Sequence, residues 1–194
     1  MSTITIIATG ASVTPEQVLR VKHSLTDVMV INESFLLCPW ADYLYAADHR
    51  WWDYYAEEVV KKFQGESYTV SERAIEHPPY PKYLKWENKW NSGGGLCTEK
   101  GKVYAGGHGG HQAASLAYQL GYDRIVLLGF DMKPGYWFGD SIRPAHLRVE
   151  QSYPHFANTM KTLHDELLEH GVVLYNCTPG SLMDIPYTDL ESVI

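Results

Sequence analysis

The part of this 194-residue chain that most limits its fold runs from Lys102 to Met132. It combines a glycine-rich loop, a helix of small residues and an almost wholly apolar run that ends at Asp131. Apolar residues of the helix recur at the spacing of one buried stripe, and Gly121 supplies a helix stop. Residues 125–128 are typical of a strand buried on both faces, which is found in parallel sheets covered by helices.

Strand and helix patterns alternate along the rest of the chain, with helices predicted to begin after Thr14, near Arg50 and near Pro154. Thr14 and Gln17 have the spacing of a capping box. The alternation predicts one α/β domain over residues 1–194, with a Rossmann-like, doubly wound, mainly parallel sheet and helices on both faces. Further predicted strands lie at 3–8, 27–31, 43–47, 67–70, 83–86 and 172–175, and irregular excursions at about 76–100, a candidate lid, and at 133–153.

Composition limits the location and the partners. The net charge is −7 and no cluster of lysine or arginine is present, which argues against binding nucleic acid through its phosphates. No apolar run approaches the roughly 20 residues that span a bilayer, and no secretion signal is visible. Three distant cysteines fit reduced thiols, so we expect a cytoplasmic protein. Aromatic residues on the helix near Arg50 belong either to the core or to the interface of a homo-oligomer.

Polar and glycine residues follow the predicted strands, and the carboxyl ends of parallel strands meet at the ligand-binding edge of such a sheet. The glycine-rich loop also opens a helix, whose N-terminus favours an anion, so we expect a nucleotide-type ligand. The loop at residues 9–12 lacks the three glycines of a dinucleotide fingerprint and the lysine of a P-loop, so neither an NAD site nor a Walker-type site is supported. The candidate binding residues are Thr9, Gly10, Ser12, Asn32, Asp48, Gly109, Gly110, His111 and Asp131.

Histidines and carboxylates in these loops have alternative interpretations. His155, in the first turn of its predicted helix, is a candidate general base, as are other loop histidines at 108, 111 and 146. A metal site could be built from His108, His111 and Asp131, but His-x-x-His at a loop–helix junction is weak evidence for one, and we predict no metal site. Asn32 and Asp48 could equally be caps, and Asp131 could cap the turn that follows it.

The order of the segments IIATGAS, VINESF, AADHRWW and GGHGGHQAASLAYQLGYDRIVLLGFDM resembles the bacterial sialyltransferases of the lipooligosaccharide type. It is equally similar to their relatives, the MptE-like 6-hydroxymethylpterin pyrophosphokinases. Short phage-encoded members of this superfamily carry similar GFDM and NCTPGS segments, and a phage protein would act in the host cytoplasm. The resemblance covers most of the chain and is strongest over residues 106–131 and 154–181.

The resemblance implies a nucleotide-activated donor, with a nucleotide sugar of the CMP type as the expected class, and an unknown acceptor. It implies that Lys133 and Tyr136 bind the departing phosphate and that His155 takes a proton from the acceptor. It implies nucleotide contacts from Thr9, Gly10, Ser12, Asn32, Asp48, Gly109 and Gly110. A glycine near position 106 stands where the sialyltransferases have an arginine, and the chain is shorter than theirs.

Three functions follow from these observations. The first is a glycosyltransferase-like transferase that uses a nucleotide-activated donor. The second is a pyrophosphokinase or nucleotide hydrolase in which Asp48 and Asp131 hold Mg²⁺. The third is a non-catalytic protein that kept the nucleotide pocket, which the missing arginine and the short lid would favour.

Overall fold

The computed structural model describes residues 1–76, 78–139 and 152–194. His77 and residues 140–151, which include His146 and most of the second predicted excursion, lie outside the described residues.

Seven parallel strands form the main sheet, and two more strands form a separate parallel pair. The strands are β1 (Thr3–Ile7), β2 (Asp27–Ile31), β3 (Tyr43–Tyr45), β4 (Glu66–Thr69), β5 (Lys82–Tyr83), β6 (Lys85–Asn88), β7 (Lys102–Ala105), β8 (Arg124–Leu128) and β9 (Val173–Asn176). Their order in the main sheet is β5-β4-β3-β2-β1-β8-β9, while β6 pairs with β7. The chain therefore builds outward from β1 to β5 and then crosses back to β8, so the strand order reverses between β1 and β8.

Helices cover both faces of the main sheet, as the sequence predicts. The helices are α1 (Pro15–His23), α2 (His49–Lys62), α3 (Gly109–Gln119) and α4 (Tyr153–Glu169). Strand β8 shows this directly: Ile125 and Leu127 pack in the core that includes α3 and α4, whereas Val126 and Leu128 pack in the core that includes α1 and α2. All four side chains are fully buried, and burying each one stabilises the fold by roughly 1.5–3 kcal/mol.

Local sequence signals fix where two of these helices begin. The predicted capping box is present, because the Gln17 backbone N–H donates to Thr14 and the Thr14 backbone N–H donates to the side chain of Gln17. Asp48 caps α2 by accepting from the backbone N–H of Arg50 at 2.9 Å.

The aromatic residues of α2 lie mostly in the core. Trp51, Trp52 and Tyr55 are buried there, and Tyr54 is half exposed.

The single strand predicted over residues 83–86 is wrong. The backbone N–H of Leu84 donates to Thr69 in the main sheet, and the next one, from Lys85, donates to Gly101 beside β7. The chain therefore leaves one sheet and joins the other at this point, which divides the segment into β5 and β6. The first predicted excursion is consequently tied to the domain by two strands.

Among the helices of the described ranges, none is both long enough and apolar enough to cross a membrane.

Candidate functional site

A cavity of about 610 Å³ opens at the carboxyl ends of β1, β2, β3 and β8, where the strand order reverses. This is the place at which open α/β sheets bind ligands, and the volume is ordinary for a small-molecule site. The loop after β1, the N-terminus of α3 and the loop after β8 supply its polar wall. Aromatic residues of the first excursion and of α4 supply much of the remaining wall: Trp86, Trp90, Tyr153 and Phe156.

Nine of the twelve site residues predicted from the sequence line this cavity, and three do not. Those that line it come from five separate loops, which the fold brings to one edge of the sheet. The lining residues are Thr9, Gly10, Asn32, Asp48, Gly109, Gly110, Asp131, Lys133 and Tyr136. The three others are Ser12, His111 and His155.

Ser12 is held by Asp131 on the neighbouring loop. The carboxylate of Asp131 accepts from the Ser12 backbone N–H at 3.1 Å and from its hydroxyl at 2.8 Å, and Asp131 is almost fully buried. The prediction that Asp131 caps the turn after it is therefore wrong, because its described hydrogen bonds go to the turn after β1. Gly10 is required by this contact, since a Cβ at that position would lie 1.9 Å from Oδ2 of Asp131.

The loop after β8 also holds the turn after β1 through the backbone. Tyr136 forms an antiparallel bridge with Gly10, and the Trp137 N–H donates to the Thr9 carbonyl at 3.2 Å. Tyr136 stacks on Phe138 with ring centroids 5.0 Å apart. The Nζ atom of Lys133 donates to the carbonyl of Gly180 at 3.0 Å, which holds this cation at the cavity wall.

Charges around the cavity are few. Of the described lining residues, Lys133 carries the positive charge, and Asp48 and Asp131 are the carboxylates. Burial acts to raise the pKa of Asp48, but hydrogen bonds from Arg50 outweigh it and hold that pKa below its ordinary value. Asp48 is therefore ionised at neutral pH and already paired with Arg50.

The N-terminus of α3 faces the cavity. His108 is its N-cap residue and makes no side-chain capping bond, and Gly109 and Gly110 form the first turn. The first backbone N–H groups of a helix lack partners within the helix, so this end is suited to an anion. Gly107, just before it, has φ +93°, and a Cβ there would lie 2.0 Å from Cζ3 of Trp90. Part of the glycine-rich sequence is thus explained by the close approach of Trp90.

Three histidines lie in a cluster behind Trp90. The ring of His155 stacks on Trp90 with centroids 3.7 Å apart, and its Nε2 is buried without a hydrogen-bond partner. His108 lines the cavity, and its Nε2 is also buried and unpartnered. Burial and the nearby His111 lower the pKa of His108 to about 3, and burial lowers the pKa of His111 to about 4. Both are therefore neutral at pH 7, and His111 is fully buried.

Sequence reasoning missed Trp86 and Trp90 as site residues. The two tryptophans are four positions apart in the predicted lid, and Trp90 is three positions before a run of three glycines; that placement is the signal that could have identified them. His108, one of the candidate loop histidines, lines the cavity because the fold brings the N-terminus of α3 there.

Within residues 1–76, 78–139 and 152–194, no group of three or more His, Cys, Asp or Glu side chains could hold a metal ion. The Mg²⁺ hypothesis relied on Asp48 and Asp131, and these carboxylates are engaged by Arg50 and Ser12.

Comparison with known structures identifies a similar fold. The sialyltransferase CstII from Campylobacter jejuni, solved in complex with the substrate analogue CMP-3FNeuAc, aligns with 96% of this chain and 86% of its own, with 13% identity and a TM-score of 0.55. A second structure of CstII, in complex with cytidine-5′-monophosphate, aligns with 96% of this chain and 85% of its own, with 11% identity and a TM-score of 0.48. No family model and no curated protein matches the chain. The first alignment shows that the chain shares the Rossmann-like α/β fold of CstII.

Proposed function

We propose that this protein is a transferase that uses a nucleotide-activated donor, of which a nucleotide sugar is the expected class. The observation that carries the proposal is the cavity at the reversal of strand order, lined by nine residues that the sequence selected independently of the structure. The fold shared with CstII supports the same class, because that enzyme was solved with the CMP-type analogue CMP-3FNeuAc. A CMP-type donor is therefore the first to test.

In this proposal the donor lies against the polar wall. Its phosphate binds between Lys133, Tyr136 and the turn at Thr9, and its nucleoside lies near Asn32 and the first turn of α3. Lys133 is a point charge that stabilises the phosphate as it leaves, and the α3 N-terminus adds to the same field. Ser12 supports this wall indirectly, since both of its described polar contacts go to Asp131.

His155 is the proposed general base. Its Nε2 takes the proton of an acceptor hydroxyl, the acceptor oxygen bonds to the anomeric carbon, and the bond from that carbon to the phosphate breaks, leaving its electron pair on the nucleotide phosphate. His108 is less suited to this role because its pKa of about 3 makes it a weak proton acceptor. Trp90 covers His155, and Nε2 is buried, so the segment around Trp90 has to shift before a substrate reaches that nitrogen.

The test compares His155→Ala with the control His164→Ala. His164 is the second histidine of α4, and it has no proposed role at the cavity. Thermal-shift screening against nucleotides and nucleotide sugars first identifies the donor class, because a ligand that binds only the folded state raises its stability. We expect His155→Ala to lose turnover by about 100-fold or more and to keep its nucleotide affinity. Normal turnover in His155→Ala would remove His155 from the mechanism.

A second candidate function is nucleotide binding without catalysis. The observation that favours it is the burial of the His155 nitrogen beneath Trp90. Nucleotide binding with no transfer and no donor hydrolysis, in the presence or absence of Mg²⁺, would favour this function. Activity that disappears with EDTA would instead favour the pyrophosphokinase or hydrolase.

A further inference from the structure

The cavity has a second wall, which differs from the polar wall because its described side chains are aromatic and carry no formal charge. We call it the aromatic wall and define it as Trp86, Trp90, Tyr153 and Phe156, all of which line the cavity. Trp90 meets Phe156 edge-on with centroids 6.2 Å apart, and Phe156 meets Tyr153 in the same manner at 6.2 Å. The charged residues that line the cavity belong to the loops of the polar wall; they are Asp48, Asp131 and Lys133.

Two members of the aromatic wall remain exposed. Trp86 is 50% exposed and Trp90 is 38% exposed, although both line a cavity. A large aromatic ring left in contact with water at a cavity indicates a surface that a ligand covers.

Trp86 is presented from an ordered backbone. It lies on β6, where it pairs with Val103 of β7, so the regular pairing sets the direction in which its side chain leaves the strand. The backbone that carries the ring is therefore already ordered before a ligand binds. Trp90 follows on the 3₁₀ turn Trp90–Ser92, whose start is fixed by the bond from the Trp90 N–H to the Asn88 side chain at 2.9 Å.

We propose that the aromatic wall is the acceptor subsite and that it binds an uncharged sugar ring, which stacks its C–H face on the indole of Trp86. This inference rests on the proposed function, because the donor occupies the polar wall. The C–H groups of a pyranose carry partial positive charge, and the face of an aromatic ring is negative, so the two attract. None of the four described side chains of this wall carries a charge that would attract an anionic acceptor. An acceptor bound here lies beside Trp90, the residue that covers the proposed base.

The experiment uses the full chain saturated with the nucleotide that gives the largest thermal shift. Saturation-transfer NMR and tryptophan fluorescence measure binding of the methyl pyranosides of glucose, galactose and mannose. The corresponding alditols, sorbitol, galactitol and mannitol, serve as probes that keep the configuration of each sugar's hydroxyl-bearing carbons and have no ring face. We expect at least one pyranoside to bind and its alditol to bind more weakly by about 10-fold or more.

Variants assign this binding to the wall. Trp86→Ala is expected to weaken the pyranoside by about 10-fold, Trp86→Phe to retain most of the affinity, and nucleotide affinity to stay unchanged in both. The matched control is Tyr187→Ala, which removes an aromatic residue of similar exposure, 56%, that does not line the cavity. In a transfer assay, Trp86→Ala should raise the KM for the acceptor, whereas Tyr187→Ala should leave that KM unchanged.

Three results would overturn the inference: no pyranoside binds, the alditols bind equally well, or Trp86→Ala binds the pyranoside as the unmodified protein does. A chain that binds nucleotide and fails in these ways would retain the proposed function and lose only this subsite. Pyranoside binding in a chain that binds no nucleotide would overturn the proposed function and the acceptor assignment together.

Discussion

Replacing Gly10 by alanine tests how closely the turn after β1 is packed against the loop after β8. The added Cβ would lie 1.9 Å from Oδ2 of Asp131 and 2.3 Å from the carbonyl oxygen of Gly129. One of these atoms belongs to the backbone, so rotation of the Asp131 side chain cannot relieve both contacts. The turn or the strand end has to move, and either movement disturbs the two hydrogen bonds between Asp131 and Ser12.

The expected cost has two parts. Forcing an extra methyl group into a packed site costs about 1–3 kcal/mol, and weakening hydrogen bonds to a charged group costs about 1.5–3 kcal/mol. We therefore expect Gly10→Ala to lower the free energy of unfolding by about 3–5 kcal/mol, which is a large share of the stability of an ordinary domain. For a chain of this size the midpoint of thermal unfolding should fall by at least about 6 °C.

Gly109→Ala is the matched control for this substitution. Gly109 also lines the cavity and has no positive φ, but a Cβ there would lie 3.6 Å from its nearest neighbour, Ile31, which is ordinary contact. Urea and thermal unfolding followed by circular dichroism should show Gly109→Ala unchanged or slightly more stable. Ser12→Ala in the Gly10→Ala background should cost less than it does alone, since the shared hydrogen bonds are already disturbed. If the free energy of unfolding of Gly10→Ala is within about 1 kcal/mol of that of the unmodified chain, the turn after β1 is not packed as tightly against Asp131 and Gly129 as described.

Two other predictions concern the histidine cluster. Trp90→Ala should expose the ring of His155, so diethylpyrocarbonate should modify His155 at least about 10-fold faster, as measured by mass spectrometry. An unchanged rate of modification would show that Trp90 does not protect His155. Because burial lowers the pKa of His108 to about 3 and of His111 to about 4, the unfolded chain takes up these protons first as the pH falls below about 6.5. Stability should therefore fall between about pH 6.5 and 4, and urea unfolding of His111→Gln should show a smaller fall over that range; an equal fall would contradict the assignment.

The parts of the fold that sequence predicts well depend on neighbouring residues. The capping box of Thr14 and Gln17 lies within four positions, and the run at 125–128 is apolar on both faces, so each pattern carries its own structure. The cavity was predictable for a related reason: the carboxyl ends of parallel strands meet, so residues that follow strands meet as well.

The contacts that sequence did not predict join distant positions. Asp131 and Ser12 are 119 residues apart, and no local pattern indicates that their side chains bond. Trp90 likewise packs over Gly107 and against His155, from the excursion at about 76–100, where prolines and glycines predict irregular structure outside the strand at 83–86. The chain crosses between two sheets at Leu84, where a short β-prone run has no feature that shows the change of partner.

Calorimetric titration with the 5′-monophosphates of cytidine, uridine, adenosine and guanosine tests whether the cavity binds a nucleotide phosphate. We expect saturable binding of at least one of them, weakened about 10-fold by Lys133→Ala, which is about 1.4 kcal/mol. Lys161→Ala, which removes a lysine of α4 paired with Asp165 outside the cavity, should leave the affinity unchanged. If none of the four binds, or if Lys133→Ala binds as tightly as the unmodified chain, the cavity does not hold a nucleotide phosphate as described.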